Sequence, residues 1–331
     1  MEKAQLIISR NRIGTDGEGI RTLVSFAGCP LNCRYCINPH LKKEYPEEMR
    51  YTPEKLLEKL NVDRHFFLAT GGGVTFSGGE PLLHSAFLKE FCAIADPLWG
   101  INIETSLFAP KESITRLLDI VDTWIVDVKT TDPDKYEAYT GKGNDRVLRN
   151  LEYLDSELQH RPGKKLVIRV PVIPGYTSTD DVDDTVAYLN SILECKPEFD
   201  TFEYVRGRHE VPTPDGMRIC EILRAVRKTL SESNGVPSEQ RVCTNKGGCI
   251  GSCPMCEMET MLMNKALDSV ESVNYDPVRV MLEKDFPGEM EFRMSVPEAA
   301  SKNYMLLGEV GPMFIEGVAM MPGEDESLDE E

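Results

Sequence analysis

The sequence predicts an α/β fold: a partial (β/α)6 TIM-like barrel followed by a small C-terminal Cys-rich domain. Three observations predict it. Six short apolar, β-branched runs recur at helix-length intervals, the pattern of βα units on a parallel sheet. The repeat stops near residue 235, two units short of a standard eight-strand barrel. Beyond that point Gly, Cys and Met take over from the alternating pattern.

The six runs cover residues 23–28, 73–77, 101–105, 123–128, 166–171 and 201–205. Helical patterns lie between them. Thr52 followed by Pro53 opens one with a capping hydroxyl and a Pro at the first helical position. Others are expected over about residues 84–95, 110–120, 144–158, 180–193 and 214–231. The barrel therefore spans 1–235, a Cys-rich metal-cluster domain 236–275, and a C-terminal extension 276–331. Pro277, Pro287, Pro297, Pro312 and Pro322 break the extension into short pieces. Glu324, Asp325, Glu326, Asp329, Glu330 and Glu331 crowd its end, which is expected to be disordered. Eleven of the 14 methionines lie at or beyond Met255, where they read as gap-filling core or partner-binding surface.

Lys and Arg number 37 against 55 Asp and Glu, a formal charge of −18. Phosphate binding needs clustered cations, so no nucleic-acid partner is expected. Hydrophobic residues make up 41%, enough for a buried core, which excludes wholesale disorder. No apolar run reaches the roughly 18 residues of a membrane span, so no membrane association is expected. The opening MEKAQLIISRNR carries no secretion signal, and a cytoplasmic location is expected.

Ten cysteines in a long chain without such a signal point to metal rather than disulfides. Seven fall in two clusters, Cys29/Cys33/Cys36 and Cys243/Cys249/Cys253/Cys256, and the spacing C-x3-C-x2-C occurs in both, as CPLNCRYC and CIGSCPMC. Cys92, Cys195 and Cys220 stand apart among apolar neighbours and read as inert buried thiols, with hydrogen-atom donation a lesser alternative for Cys220.

Cys29, Cys33 and Cys36 directly follow the first predicted strand. Three thiolates within eight residues suit three corners of a [4Fe–4S] cube. No fourth Cys lies nearby, so one iron is left open for chemistry. A three-thiolate zinc site and unligated thiols are the alternatives. Every later strand also ends in polar residues. SGGEP closes the second; its glycines permit close backbone approach, and Glu80 offers a carboxylate to an ammonium group. Glu104 and Thr105 close the third, and Asp127 and Lys129 the fourth. Arg169 lies on the fifth, and Arg206 and His209 follow the sixth. Parallel βα folds place their sites at the carboxyl ends of strands, so these groups are expected on one rim. His209 by itself reads as a surface or capping residue. The glycine loop GTDGEG precedes a strand, whereas a dinucleotide fingerprint follows one, so a nucleotide reading is rejected.

Cys243, Cys249, Cys253 and Cys256 give C-x5-C-x3-C-x2-C. Four thiolates suit a fully ligated second [4Fe–4S] cluster or an all-thiolate zinc site, with unligated thiols the remaining alternative. Gly247, Gly248 and Gly251 let the chain wrap around either metal.

CPLNCRYC with SGGEP at this distance resembles the radical S-adenosylmethionine (SAM) superfamily. Within it, GTDGEGIRTLVSFAGCPLNCRYCINPH, TFSGGEPLLH, IETS, VDVK and IRVPVIPG resemble the glycyl-radical-enzyme activating enzymes, over roughly residues 10–210. The resemblance implies that Cys29, Cys33 and Cys36 ligate the cluster and that the open iron binds the amino and carboxylate groups of SAM. It implies Tyr35 near the adenine and Gly78, Gly79 and Glu80 around the methionine amino group. Glu104, Thr105 and Asp127 match positions that hold SAM or a nearby cation. Lys129 and Arg169 match positions that face SAM, and Asp16 and Gly17 the stretch that approaches the substrate. The implied partners are a glycyl radical enzyme and an electron donor such as flavodoxin or ferredoxin. Glu18 stands where these enzymes usually carry Pro, Glu104 where they often carry Asp, and Ile37 where His is usual. Auxiliary clusters after the barrel are common in radical SAM enzymes that modify ribosomal peptides, which is the alternative reading of function. A non-catalytic iron–sulfur or zinc scaffold is a third.

Overall fold

The computed structural model describes residues 3–42, 50–203, 213–238, 240–241 and 253–292. Its centre is one open eight-stranded sheet in the order β3-β1-β2-β4-β5-β6-β7-β8. Six strands run parallel: β2 (Ile20–Phe26), β4 (Gly73–Gly78), β5 (Gly100–Thr105), β6 (Thr123–Asp127), β7 (Lys165–Val172) and β8 (Glu198–Glu203). These are the six runs of the sequence, with ends moved by a few residues. Two strands were not legible. β1 (Ala4–Ile13) pairs antiparallel with β2, and the short β3 (Arg50–Tyr51) pairs with β1. The register of β1 shifts between Ser9 and Arg12, where Asn11 takes a left-handed φ of 60°. That bulge breaks the two-residue alternation by which a strand is recognised.

The connections are helical. α1 (Pro53–Leu60) and α2 (Arg64–Thr70) lead to β4, and α3 (Ser85–Ile94) to β5. α4 (Lys111–Thr115) leads to β6, α5 (Pro133–Thr140) and α6 (Asp145–Leu158) to β7, and α7 (Thr179–Ile192) to β8. The Thr52 hydroxyl accepts from Lys55 N, as its cap signal predicts. α5 was missed despite its signals: the Asp132 side chain accepts from Lys135 N, Pro133 opens the helix, and Gly141 ends it at φ 74°.

Alternation divides the sheet into two unlike faces. Val24, Phe26, Val74, Phe76, Ile103, Trp124, Val126, Ile168 and Val170 face the helices and pack with Phe87, Phe91, Leu151, Leu154 and Leu189 in one apolar layer. Each fully buried side chain of this kind contributes about 1.5–3 kcal/mol. The opposite face, which an ordinary barrel fills with branched apolar residues, keeps only a few of them here, Leu23, Ile125 and Val167, among polar side chains. Arg21, Thr75, Ser77, Asn102, Arg169 and Asp200 are all buried on it.

After β8 come α8 (Thr213–Ser233), α9 (Pro254–Leu267) and α10 (Asp276–Asp285). Ile222, Val226, Met263, Leu267, Val278 and Leu282 form a second apolar cluster with Ile13, Ile20 and Phe66. Pro277, read from the sequence as a breaker, lies in the first turn of α10, where Pro starts helices. Among the described residues no helix is long and apolar enough to cross a membrane. Arg206, His209, Cys243, Cys249 and the acidic C-terminal residues lie outside the described residues.

Candidate active site

Where β2 ends, the chain turns outward through Gly28, whose φ of +92° favours glycine. The loop that follows carries Cys29, Cys33 and Cys36 as free, half-buried thiols. Its backbone is tied at four points. Ala27 N donates to Gln5 O (2.9 Å) and Gly28 N to Leu41 O (2.9 Å). Asn32 N donates to Thr140 O (2.8 Å) and Arg34 N to Tyr139 O (3.1 Å). The last carbonyls of α5, which lack helical partners, thus hold the loop. Burial, with the nearby Glu80 charge adding, pushes the Cys29 thiol up to about 12; burial also pushes Cys33 up. Such thiols deprotonate when a metal takes the place of the proton. Among the described residues no three Cys, His or carboxylate groups converge on a single ion.

SGGEP docks directly on this loop. Gly79 N donates to Phe26 O (2.8 Å) and Glu80 N to Gly28 O (2.8 Å). A Cβ on Gly78 would fall 2.5 Å from Phe26 N, and one on Gly79 1.9 Å from Gly28 O. Both glycines are therefore needed for the chain to approach its own cysteine loop. Gly79→Ala is expected to cost about 1–3 kcal/mol through forced backbone displacement and to weaken cluster retention. Denaturant unfolding of the apoprotein and iron content after reconstitution check it; unchanged iron content would show that the loop absorbs the methyl.

Glu80 is fully buried and its acceptor positions are filled. Oε1 accepts from Leu82 N (3.1 Å) and Thr105 Oγ1 (2.6 Å), and Oε2 from Ser106 N (3.0 Å) and Ser106 Oγ (2.5 Å). Burial pushes its carboxyl above the usual range, against these hydrogen bonds. Thr105 in turn accepts from Leu107 N (2.9 Å), and Leu107 holds a left-handed φ of 56°. Glu80 thus welds SGGEP to the end of β5.

Beneath this rim the polar face forms one network. Glu104 accepts from Ser77 Oγ (2.7 Å) and Arg169 Nη1 (2.9 Å). Arg169 also donates to Asp200 (3.3 Å) and to Thr15 O (3.1 Å). The β1–β2 loop enters this interior: Asp16 O accepts from Thr75 Oγ1 (2.7 Å) and Asn102 Nδ2 (3.3 Å). Burial opposes the Asp16 charge, yet Arg12 at 2.6 Å holds its carboxyl below the usual range. Gly17, at φ +125°, sits where a Cβ would meet Asn102 Nδ2 at 2.1 Å. Arg21 donates to Thr75 Oγ1, Val74 O and Gly100 O, and burial lowers it to about 10.

At the rim, Lys129 Nζ lies 2.9 Å from Asp127 Oδ2; Asp127 is 33% exposed and Lys129 7%. Tyr35 packs against Tyr176 (5.9 Å, edge-on) and Tyr139 (6.3 Å). Tyr136, on α5, is fully buried, and its hydroxyl has no hydrogen-bond partner among the described residues.

The structure therefore brings Cys29, Cys33, Cys36, Tyr35, Gly78, Gly79, Glu80, Glu104, Thr105, Asp127, Lys129 and Arg169 to one end and interior of the sheet. Sequence reasoning missed Arg12, Arg21, Asn102, Ser106, Tyr136 and Asp200. Polar residues at every second position of β4 and β5 were the available signal. Cys253 caps α9, where its Sγ accepts from Cys256 N (3.5 Å). Cys220, expected to be isolated, lies with its Sγ 4.0 Å from that of Cys256.

The sequence model of the radical SAM superfamily matches residues 23–189, about half of the chain. The span contains every residue of the rim and interior assigned above except Arg12, the β1–β2 loop, Arg21 and Asp200. The pyruvate formate-lyase-activating enzyme of Staphylococcus aureus (strain USA300) is 32% identical over 205 residues, covering 58% of this chain and 78% of the relative. The (2S)-3-sulfopropanediol dehydratase activating enzyme of Klebsiella oxytoca is 29% identical over 240 residues, covering 54% and 72%. The indoleacetate decarboxylase activating enzyme of Tractidigestivibacter scatoligenes is 27% identical over 239 residues, covering 52% and 74%. The chain belongs to the radical SAM superfamily, with activating enzymes of glycyl radical enzymes as its relatives.

Proposed function

We propose that this protein activates a glycyl radical enzyme by abstracting a hydrogen atom from a glycine Cα of that partner. The observation that carries the reading is the three-thiol loop docked on SGGEP at the mouth of a charged sheet interior. A bound [4Fe–4S] cluster would supply one electron to SAM, giving methionine and a 5′-deoxyadenosyl radical that takes the substrate hydrogen.

The chain's own residues bind, orient and shield. Cys29, Cys33 and Cys36 would hold three irons, leaving the fourth for SAM. Gly78 and Gly79 would meet the methionine amino group through their backbone, because Glu80 has no acceptor position left and acts by fixing their loop. The partly exposed Asp127 and its partner Lys129 are the charged pair that SAM would meet at the rim. Tyr35, braced by Tyr139 and Tyr176, would flank the adenine. Glu104, Thr105 and Arg169 shape the floor of the site, and Asp16 and Gly17 approach the peptide. The radical must be kept from water, and the packed walls serve that end. The electron would come from a flavodoxin or ferredoxin, in the cytoplasm.

A second reading is a radical SAM maturase that crosslinks or epimerises a ribosomal peptide. Cys243, Cys249, Cys253 and Cys256 favour it as ligands of a second [4Fe–4S] cluster or zinc, and the nearness of Cys220 to Cys256 adds to that thiol group.

Anaerobic reconstitution followed by SAM and a strong reductant tests both. Release of 5′-deoxyadenosine with a lasting glycyl radical signal on a partner protein is the expected result. A mass change in a short peptide without that signal would favour the maturase. No release of 5′-deoxyadenosine from iron-loaded protein would remove both.

A further inference from the structure

Tyr136 lies on the helix that holds the cysteine loop, one turn before the Tyr139 and Thr140 carbonyls that accept from Arg34 and Asn32. Its ring belongs to the apolar layer, and its buried hydroxyl meets no partner among the described residues. A phenol left unpaired in such a place loses its bonds to water without replacement, and a Phe would fill the same space without that loss. Asn32 and Arg34, whose backbone those carbonyls hold, flank Cys33 in the chain, and Cys33 heads the groups whose charge would bear on the hydroxyl, followed by Lys129, Glu80 and Cys29. Lys129 is a donor itself. Glu80 already accepts two hydrogen bonds at each oxygen. Of these groups the sulfurs are left as acceptors. A thiol is a weak acceptor, whereas a metal-bound thiolate carries charge and accepts strongly.

We propose that Tyr136 is a positioning residue whose hydroxyl donates a hydrogen bond to Cys33 Sγ once the [4Fe–4S] cluster is bound, raising the cluster's reduction potential. Hydrogen bonds to cluster sulfurs are among the levers that set such potentials, because they stabilise the more negative, reduced state. The inference rests on the cluster assignment made above. It adds a residue of α5 that neither the cysteine motif nor SGGEP contains.

The test compares wild type with Tyr136→Phe. Iron and sulfide are counted after anaerobic reconstitution. The midpoint potential is then followed by electron paramagnetic resonance, using the signal that changes on adding SAM, and melting temperatures are taken with and without the cluster. The expected result is full loading of both proteins, a more negative midpoint in the variant, and an apoprotein that melts no lower than wild type. Iron lost from the variant while its apoprotein melts normally would report the same bond through cluster retention. An unchanged midpoint at full loading overturns the role of Tyr136 and leaves the cluster assignment standing. A variant apoprotein that melts lower also overturns it, since the hydroxyl would then serve the fold. A wild type that takes up no cluster overturns the assignment itself.

Discussion

Replacing Cys29, Cys33 or Cys36 with Ala is expected to abolish SAM cleavage. The cubane loses an iron anchor, and even outer partners of a metal site are each worth about 10–100-fold in affinity, so 5′-deoxyadenosine release should fall by more than about 100-fold. The same change at Cys92 is the control. That thiol sits on α3 against the apolar layer, and burial pushes it up to about 12. Cys92→Ala should keep its iron and its cleavage activity, with at most a modest loss of stability. Iron and sulfide content and 5′-deoxyadenosine by chromatography are the measurements. Cleavage that survives any of the three loop substitutions would remove the open-iron account.

Arg169→Met is expected to give the largest loss of stability for a residue with no metal ligand on its side chain. Arg169 is buried between Glu104 and Asp200, and withdrawing the cation from buried carboxylates costs about 3–5 kcal/mol. It also removes a donor from Thr15 O, and with it one anchor of the β1–β2 loop. Denaturant unfolding of the apoprotein measures the loss. The deficit should grow as pH rises from about 4 to 7, because carboxylates buried without a counter-charge keep protons in the folded state that the unfolded chain releases near 4. Arg169→Met combined with Asp200→Asn should recover part of it. A loss below about 1 kcal/mol, or one that shrinks with rising pH, would show that the network is solvated and that Arg169 is not its keystone.

Much of the site is legible in the amino-acid sequence. Cys29, Cys33, Cys36 and SGGEP are recognisable because thiolate spacing and glycine requirements are local. The ends of β4, β5 and β6 deliver Glu80, Glu104, Thr105, Asp127 and Lys129 as parallel βα topology requires. Partner choice is not legible. Residue chemistry assigns Glu80 to an ammonium group, whereas four donors from Leu82, Thr105 and Ser106 surround it. It also assigns Gly78 and Gly79 to a ligand, whereas the nearest claim on their missing side chains is the backbone of Phe26 and Gly28.

The order of six βα units, the cysteine loop after the first of them and the polar strand ends were determined by the sequence alone, because each rests on periodicity or spacing within a few residues. Only the tertiary structure decided which charges meet. Arg169 finds Glu104 at 65 residues' separation and Thr15 at 154, and the Tyr139 and Thr140 carbonyls of α5 come to hold the backbone on either side of Cys33. The Arg169 pairings depend on strand order and on how a loop folds into the sheet interior, and neither leaves a local trace in the chain.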